Sequence, residues 1–552
     1  MAKKMADLSR VDVDDVLIAL KSNGRYQIFM YFANTFVYFS EAFPTLSIVF
    51  LGKANPHTCA PPPGIYGNDS DYVLDQCSIT FTDNDTGIKN VTSCLYGYQY
   101  EYPKDMSVVS YFDLVCDRAA LNDFSQTLMS LGMAVGSSTF TIASDRYGRK
   151  PVIILAQMLV LVSGIGSSLA PNYSLFAVTR FLSGVGSSGM ILAAVTYLIE
   201  IFPHHQRRYV GSFGLLTWTV CVSSLSPVAY IVRMYSWQIV NLTLTSVSLF
   251  SLVQYWINDE SIRWLVANNR LEETVRLVKK AAKMNKINAN EPLKIIYENI
   301  PISNEPDGAL NTGDEFPEVT TLLTSENKGR KLKENINENY NFCDLFKHRR
   351  IVVTLLIVWF IWFTNSLTYY GLFLTSSSLA GNLYLNFFLN ALVEGPSALI
   401  YWFTIDRYGR KKTCMAFHAV AAIGMIGSTI FKFYDTPWSS ALSTTLSIIG
   451  KFGISGSFNV IFMYTPEMIP TNVRNLCYGT ASAAARIGGM IAPFSSLLAG
   501  SYSWAPGAIL GICCIVATIL IIFLPETMGK ELPQNMLDLE DLFKPKTDVE
   551  DR

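Results

Sequence analysis

Apolar and polar residues fall along this chain in long blocks. Runs of about the ~20 residues that a helix needs to cross a hydrocarbon layer lie near 26–50, 124–144, 151–170, 176–200, 211–231 and 238–257. After a polar interval they recur near 351–374, 383–405, 413–432, 441–465, 478–500 and 505–524. The runs are continuous and lack the period-two alternation of strands. They predict an all-α integral membrane protein of twelve helices, arranged as six plus six. The expected organisation is a first six-helix half at 1–257 with a long loop at 52–122, a connecting segment at 258–350, a second half at 351–530 and a tail at 531–552. In the connecting segment Leu265, Leu271, Val275, Leu277 and Val278 have near-helical spacing, which predicts amphipathic helices. Residues 303–340, low in aromatics and rich in Asn, Glu and Lys, read as a linker. Asp7, Asp12, Asp14 and Asp15 precede the first run and no small-residue cleavage site follows it. That run is expected to stay as a span instead of acting as a secretory signal.

Basic clusters set the orientation, because short Lys/Arg-rich loops stay cytoplasmic. They lie at Arg146, Arg149 and Lys150, at Arg207 and Arg208, at Lys347 to Arg350 and at Arg407 to Lys412, all on one side of a twelve-span count, and both termini share that side. Residues 52–122 then face outward. They contain Cys59, Cys77, Cys94 and Cys116, enough for two disulfides of open pairing, and N-x-S/T glycosylation sequons at Asn68, Asn84 and Asn90. An outward-facing loop of this kind implies a plasma-membrane protein with both termini in the cytoplasm.

The two blocks of six are related. DRYGRK occurs at 145–150 and again, letter for letter, at 406–411. YLIEIFPHHQRR at 197–208 and YTPEMIPTNVRN at 464–475 share Glu, then Pro, then Arg at equal spacing. Glu260 in DESIRWL corresponds to Glu526 in PETMGKEL. Matched motifs in one order, each at the basic end of corresponding spans, mean two homologous parallel halves, with the site expected between them at the midplane. The repeated charges Asp145, Arg149, Glu200, Arg207 and Glu260, with Asp406, Arg410, Glu467, Arg474 and Glu526, are candidates for a gating latch that pairs across the halves and parts on opening. The plainer reading is that they cap helices and set topology.

Only 16% of residues are charged while half are apolar, too few charges for a soluble surface of this size. A net charge of -1 leaves no basic excess for nucleic acid. GVGSSG at 184–189 fits a dinucleotide-loop spelling but lies inside an apolar span with no preceding strand. With GMAVG at 132–136, it reads as close helix contact. His204 and His205 are adjacent and so cannot share a helix face as metal ligands. No metal or cofactor is expected, and no catalytic constellation is present. A coupling ion, sodium or proton, stays open, and no protein partner can be inferred.

Ionisable residues within spans cost roughly 2.5–3.5 kcal/mol each to insert and so mark function. Glu41, Glu394, Lys451 and Arg486 stand out. The fork of Arg486, next to Gly488, Gly489 and Pro493, suits a carboxylate. Tyr38, Trp218, Trp359, Trp362, Tyr369, Tyr370 and Phe458 are candidate ring faces for a quaternary ammonium. Glu41 and Lys451 also fit a purely structural ion pair or snorkelling.

The repeated D-R-x-G-R-K, the cysteine-bearing loop, FDLVCD, ESIRWL, DLFKHRRIVVTLLIVWFIWFTNSLTYYGL, GKFGISGSFNVIFMYTPEMIPTNVRN and ARIGGMIAPF together resemble the organic cation, anion and carnitine transporter family of the major facilitator superfamily. The resemblance covers nearly the whole chain. It implies that an acid at the Arg486 position marks cation carriers and an arginine marks anion and carnitine types. Glu394 resembles an acid of the cation and carnitine types, and the lysine that anion types carry shortly after it is missing. The implied function is alternating-access transport of small organic cations or zwitterions, carnitine-like. The alternatives are organic-anion transport and a non-transporting receptor on the same fold.

Overall fold

The computed structural model describes residue 8 and residues 11–61, 72–82, 89–298, 349–379, 381–434, 436–470, 473–530 and 533. Asn68, Asn84, the expected linker at 303–340 and nearly all of the tail lie outside the described residues.

Eight of the described helices are long and apolar enough to cross a membrane individually. The remaining four expected spans depart from that rule for local reasons. The first is divided into Arg25–Thr35, Val37–Leu46 and Ile48–Leu51, with Pro44 inside the middle piece, where it removes a backbone donor. The second, Ala120–Tyr147, is 28 residues long but carries Asp123, Gln126 and a series of serines. The eleventh breaks at Pro493 into Arg474–Ile491 and Phe494–Ser501, and the twelfth, Ala505–Ile521, has 17 residues. Each apolar run read in the sequence is therefore a helix or a broken helix.

The glycines of the two small-residue motifs face one another. A Cβ on Gly132 or Gly136 would overlap the backbone carbonyl of Phe181 or Val185, and one on Gly184 would overlap that of Met129. The second and fourth spans thus meet backbone to backbone, which only glycine allows. The letters of GVGSSG serve packing.

The DRYGRK turns form the same corner twice. Gly148 has φ +105° and Gly409 φ +90°, a region that suits glycine. A Cβ on either would strike the carboxylate of Glu260 or Glu526 respectively. Glu260 accepts from the Arg149 N–H at 2.9 Å, and Glu526 accepts from the Arg410 N–H at 2.9 Å. Each carboxylate thereby satisfies the free amides at the start of the third and ninth spans, where the helix dipole favours a negative charge.

The connecting segment forms Ile262–Ala267, Leu271–Asn285 and Asn290–Glu298. Leu265, Leu277 and Val278 are buried with Leu8, Val16 and Leu17 of the N-terminal segment, while Leu271 and Val275 pack at the edge of that cluster. Asn285 ties these helices to the first half, accepting from the Tyr26 N–H at 2.8 Å and donating to the Leu20 carbonyl at 2.6 Å.

The loop after the first span adds what a helical reading omits. His57–Cys59 pairs with Tyr98–Tyr100, and Tyr72–Leu74, Ile79–Thr82 and Lys89–Thr92 form a second antiparallel sheet. The disulfides join Cys59 to Cys94 and Cys77 to Cys116. Asn90 is exposed on a strand of the second sheet. The His57 Nε2 lies 3.8 Å from the Cys116 Sγ, but both neighbouring sulfurs are spent in the bridge.

Two predictions follow from local geometry. Gly409→Ala should cost about 1–3 kcal/mol through backbone strain and lower the thermal midpoint of the purified protein; an unchanged midpoint would refute the corner's dependence on glycine. Burial pushes the Asp14 carboxyl up, but the hydrogen bond and charge of Arg263, helped by the His204 N–H and Arg207, hold it below the usual range. A carboxyl depressed on folding stabilises above its unfolded value, about 4, and loses that contribution as pH falls through its folded value. Amide-exchange protection of Val13–Ala19 should stay level from roughly pH 7 to 5 and fall only below about pH 4. Asp14→Asn should abolish that acid sensitivity.

Candidate substrate site between the halves

Lys451 lies midway along Pro437–Met468 with no exposed surface, and its Nζ is 3.0 Å from Glu394 Oε1. Glu394 opens the second segment of the eighth span, Glu394–Tyr408. The contact is an ion pair by distance but is not aligned as a hydrogen bond. Instead the ammonium faces rings, lying 3.2 Å from the Tyr369 centroid and 3.7 Å from that of Phe373. Tyr369 and Phe373 are one helical turn apart on Arg349–Leu374, so one face of the seventh span presents both.

Aromatic contacts carry this cluster across the seam. Trp218 of the fifth span donates from Nε1 to the Tyr369 hydroxyl at 2.9 Å. Tyr38 of the first span meets Trp218 edge-on at 6.2 Å. Tyr369 packs edge-on against Tyr370 at 5.3 Å and Phe458 at 5.5 Å, and Phe458 against Trp362 at 6.4 Å. The indole N–H groups of Trp359 and Trp362 are used within the second half, on Thr480 and Thr465.

Glu41 and Arg486 flank the cluster. Glu41 is buried, and its Oε2 has no hydrogen-bond partner among the described residues. It lies within electrostatic range of Arg486, Tyr38 and Cys221, and Tyr370 lies within range of Glu41, Arg486 and Glu394. Arg486 reaches from the eleventh span to the first half, donating to Ser188 Oγ at 3.3 Å with Met133 Sδ at 3.7 Å. The two opposite charges singled out in the sequence, Glu394 and Arg486, therefore do not neutralise each other: Lys451 meets Glu394, and Arg486 ends on neutral groups.

The repeated charges at the basic ends pair within each half. Arg149 bonds Glu200 at 2.9 Å and Asp145 at 3.0 Å; Arg410 bonds Glu467 at 3.1 Å and Asp406 at 3.3 Å. Arg207 lies near Asp14, and Arg474 donates to the Ile469 carbonyl at 3.2 Å. Contacts described between the halves fall instead at the midplane and on the side of the disulfide-bearing loop. There Ser496 donates to Asp123 at 2.8 Å, Thr127 to the Met490 carbonyl at 2.9 Å and Ser130 to the Gly489 carbonyl at 3.2 Å. Phe50 stacks on Tyr384 at 5.3 Å, and Ser226 donates to the Tyr384 carbonyl at 2.5 Å. This conformation is closed toward the loop side.

Asp123 and Arg180 escaped the sequence reading, although Arg180 lies within the 176–200 run and Asp123 immediately before the 124–144 run, where a charge is a signal. Arg180 is buried, donating to the Pro44 carbonyl at 2.8 Å and Ser47 Oγ at 3.2 Å and also bonding Gln126. It braces the first span where Pro44 interrupts it.

Residues 82–536 match the family model described as "Sugar (and other) transporter". The chain is 30% identical to an organic cation transporter protein of Drosophila melanogaster, over 96% of this chain and 95% of that one. It is 32% identical to solute carrier family 22 member 3 of Mus musculus, over 82% and 75%, and 28% identical to member 2 of Homo sapiens, over 98% and 97%. Among solved structures, a partially occluded inward-open form of the xylose transporter XylE from E. coli matches 92% of this chain and 100% of its own, with a TM-score of 0.59 at 15% identity, a likeness of fold. Two parallel six-helix halves around a charged seam define a multi-pass membrane transporter of the major facilitator class. Within that class the chain belongs to the organic cation and anion transporter family.

Ser496→Ala should weaken the loop-side closure by about 1.5–3 kcal/mol, the range for a hydrogen bond to a charged group. A cysteine introduced at Ser130 should then react faster with a membrane-impermeant thiol reagent applied from the loop side. Labelling at the unmodified rate would show that this contact does not hold the halves together.

Proposed function

We propose that this transporter carries small organic zwitterions or cations, carnitine-like, across the plasma membrane by alternating access. The basic ends and both termini lie in the cytoplasm, and the disulfide-bearing loop lies outside, where Asn90 offers an exposed glycan acceptor. The observation that carries the reading is Arg486, a fixed planar cation that crosses the seam and ends on the neutral groups of Ser188 and Met133. Such a fork is free to take a cargo carboxylate in bidentate fashion. The ammonium falls to Glu41, whose second oxygen has no described partner, and to the rings of Tyr38, Tyr370 and Trp218. Glu394 is matched by Lys451 and so reinforces the cation side less directly than Glu41 does.

A second reading, organic-anion transport, draws on that same match: with Glu394 neutralised, the hydrogen-bond partners of Arg486 among the described residues are neutral, which leaves a positive charge at the seam. Uptake of labelled carnitine, tetraethylammonium and p-aminohippurate by cells expressing the protein, with and without sodium and across a proton gradient, separates the two and exposes any coupling ion. Preferential uptake of p-aminohippurate would overturn the zwitterion reading.

Arg486→Gln should lower carnitine uptake roughly tenfold to a hundredfold, as expected for losing a charge-assisted hydrogen bond, while leaving surface expression intact. The repeated basic-side charges serve as the latch of the opposite conformation, exchanging partners within a half for partners across the seam. Glu467→Gln should then slow turnover at unchanged surface level; unaltered turnover would remove the latch role.

A further inference from the structure

The environment of Lys451 is unusual for a structural lysine. An ammonium that exists only to be paired normally directs its N–H groups at oxygens, since it has three donors to satisfy. Here it makes no aligned hydrogen bond among the described residues, and it rests between the Glu394 carboxylate and the faces of Tyr369 and Phe373. One acid and two ring faces, with nothing that requires an N–H, is the chemistry that recognises an alkylated ammonium. The box also touches the moving seam, because the Tyr369 hydroxyl accepts from Trp218 of the other half.

A second berth for the lysine adjoins the first. Trp362 and Tyr369 both meet Phe458 of the tenth span, and Tyr369 and Phe373 both meet Lys451. Asn365 lies on that same stripe of the seventh span by helical spacing. Both atoms of its buried amide lack a partner among the described residues. Ser455, one turn beyond Lys451 toward the basic side, is buried with an unpartnered hydroxyl as well. Both are oxygen acceptors that an ammonium can use.

We propose that the Lys451 side chain is an internal occupant of a cation-binding box formed by Glu394, Tyr369 and Phe373, and that an external ammonium enters the box only when Lys451 swings toward Asn365 and Ser455. Lys451 is then a specificity-determining residue: it penalises cargo that offers a positive charge alone, and leaves cargo with a carboxylate to be selected by Arg486. The inference rests on the reading that cargo binds between the halves, but its test does not depend on which cargo is natural.

The test uses the full-length purified protein and reads thermal stabilisation by n-butylammonium, which has the four-carbon chain and head group of a lysine side chain, and by tetramethylammonium. In Lys451→Ala both probes should bind at least roughly tenfold tighter than in the unmodified protein, the scale of a desolvated cation–π contact with an acid partner. Lys451→Ala/Glu394→Gln should lose that gain. If Lys451→Ala does not fold alone, because Glu394 is stranded, adding n-butylammonium during purification should restore a monodisperse protein. The proposal is overturned if neither probe stabilises or rescues Lys451→Ala, or if the double variant responds equally. Carnitine measured on the unmodified protein in the same assay keeps the two readings apart. No carnitine response alongside a gain in Lys451→Ala rejects the zwitterion cargo and upholds the box; the reverse pattern does the opposite.

Discussion

The ammonium of Lys451 has no exposed surface, and the structure of the second half is organised by the groups that stand around it in place of solvent. Glu394 supplies the counter-charge, and Tyr369 and Phe373 supply ring faces. In a medium of low polarity a charge stripped of one partner is far costlier than in water. The seventh, eighth and tenth spans are therefore held at one mutual rotation. That rotation turns the Tyr369 hydroxyl toward Trp218 and the Phe458 ring toward Trp362. The aromatic lining of the seam follows from satisfying one buried cation.

The basic ends obey the same constraint at the membrane surface. A helix that begins there has free amides, and each half meets them with a carboxylate brought from the end of its sixth span. The glycine of each DRYGRK turn clears space for that carboxylate. Because the corner is duplicated, each half is tied together internally at this side. The halves meet one another through neutral hydroxyls, carbonyls, rings and Asp123 toward the loop side. Most of these contacts are neutral and contribute about 0.5–1.5 kcal/mol each, with the Ser496–Asp123 and Arg486–Ser188 bonds stronger because one member is charged, whereas the pairs of opposite charge lie inside each half.

Much of this was legible in the chain. The apolar runs, the repeated motifs and the four loop cysteines led to the twelve-span arrangement, its internal symmetry and a disulfide-bridged loop after the first span, and Glu41, Glu394, Lys451 and Arg486 were recognisable as charges out of place. The short strands of the loop were not read, since three- and four-residue strands in a segment of cysteines and turns carry too little periodicity. Arg180 and Asp123 were overlooked near span ends, where snorkelling masks their cost.

The sequence by itself determined the spans, their pairing into halves and the identity of the buried charges, because hydropathy and helix formation act on neighbours within about 20 residues. Only the tertiary structure decided which charge answers which. That Glu394 faces Lys451 and not Arg486, that Arg149 bonds Glu200 within its own half, and that Cys59 joins Cys94 all depend on how helices and loops remote in the chain are rotated against each other. Close backbone contacts between spans remote in sequence help to set those rotations in each half, Gly132 on Phe181 and Gly184 on Met129 in the first, Gly453 on Phe417 and Gly424 on Leu446 in the second. No local pattern encodes the choice, since each charge alone would accept any partner of opposite sign within reach.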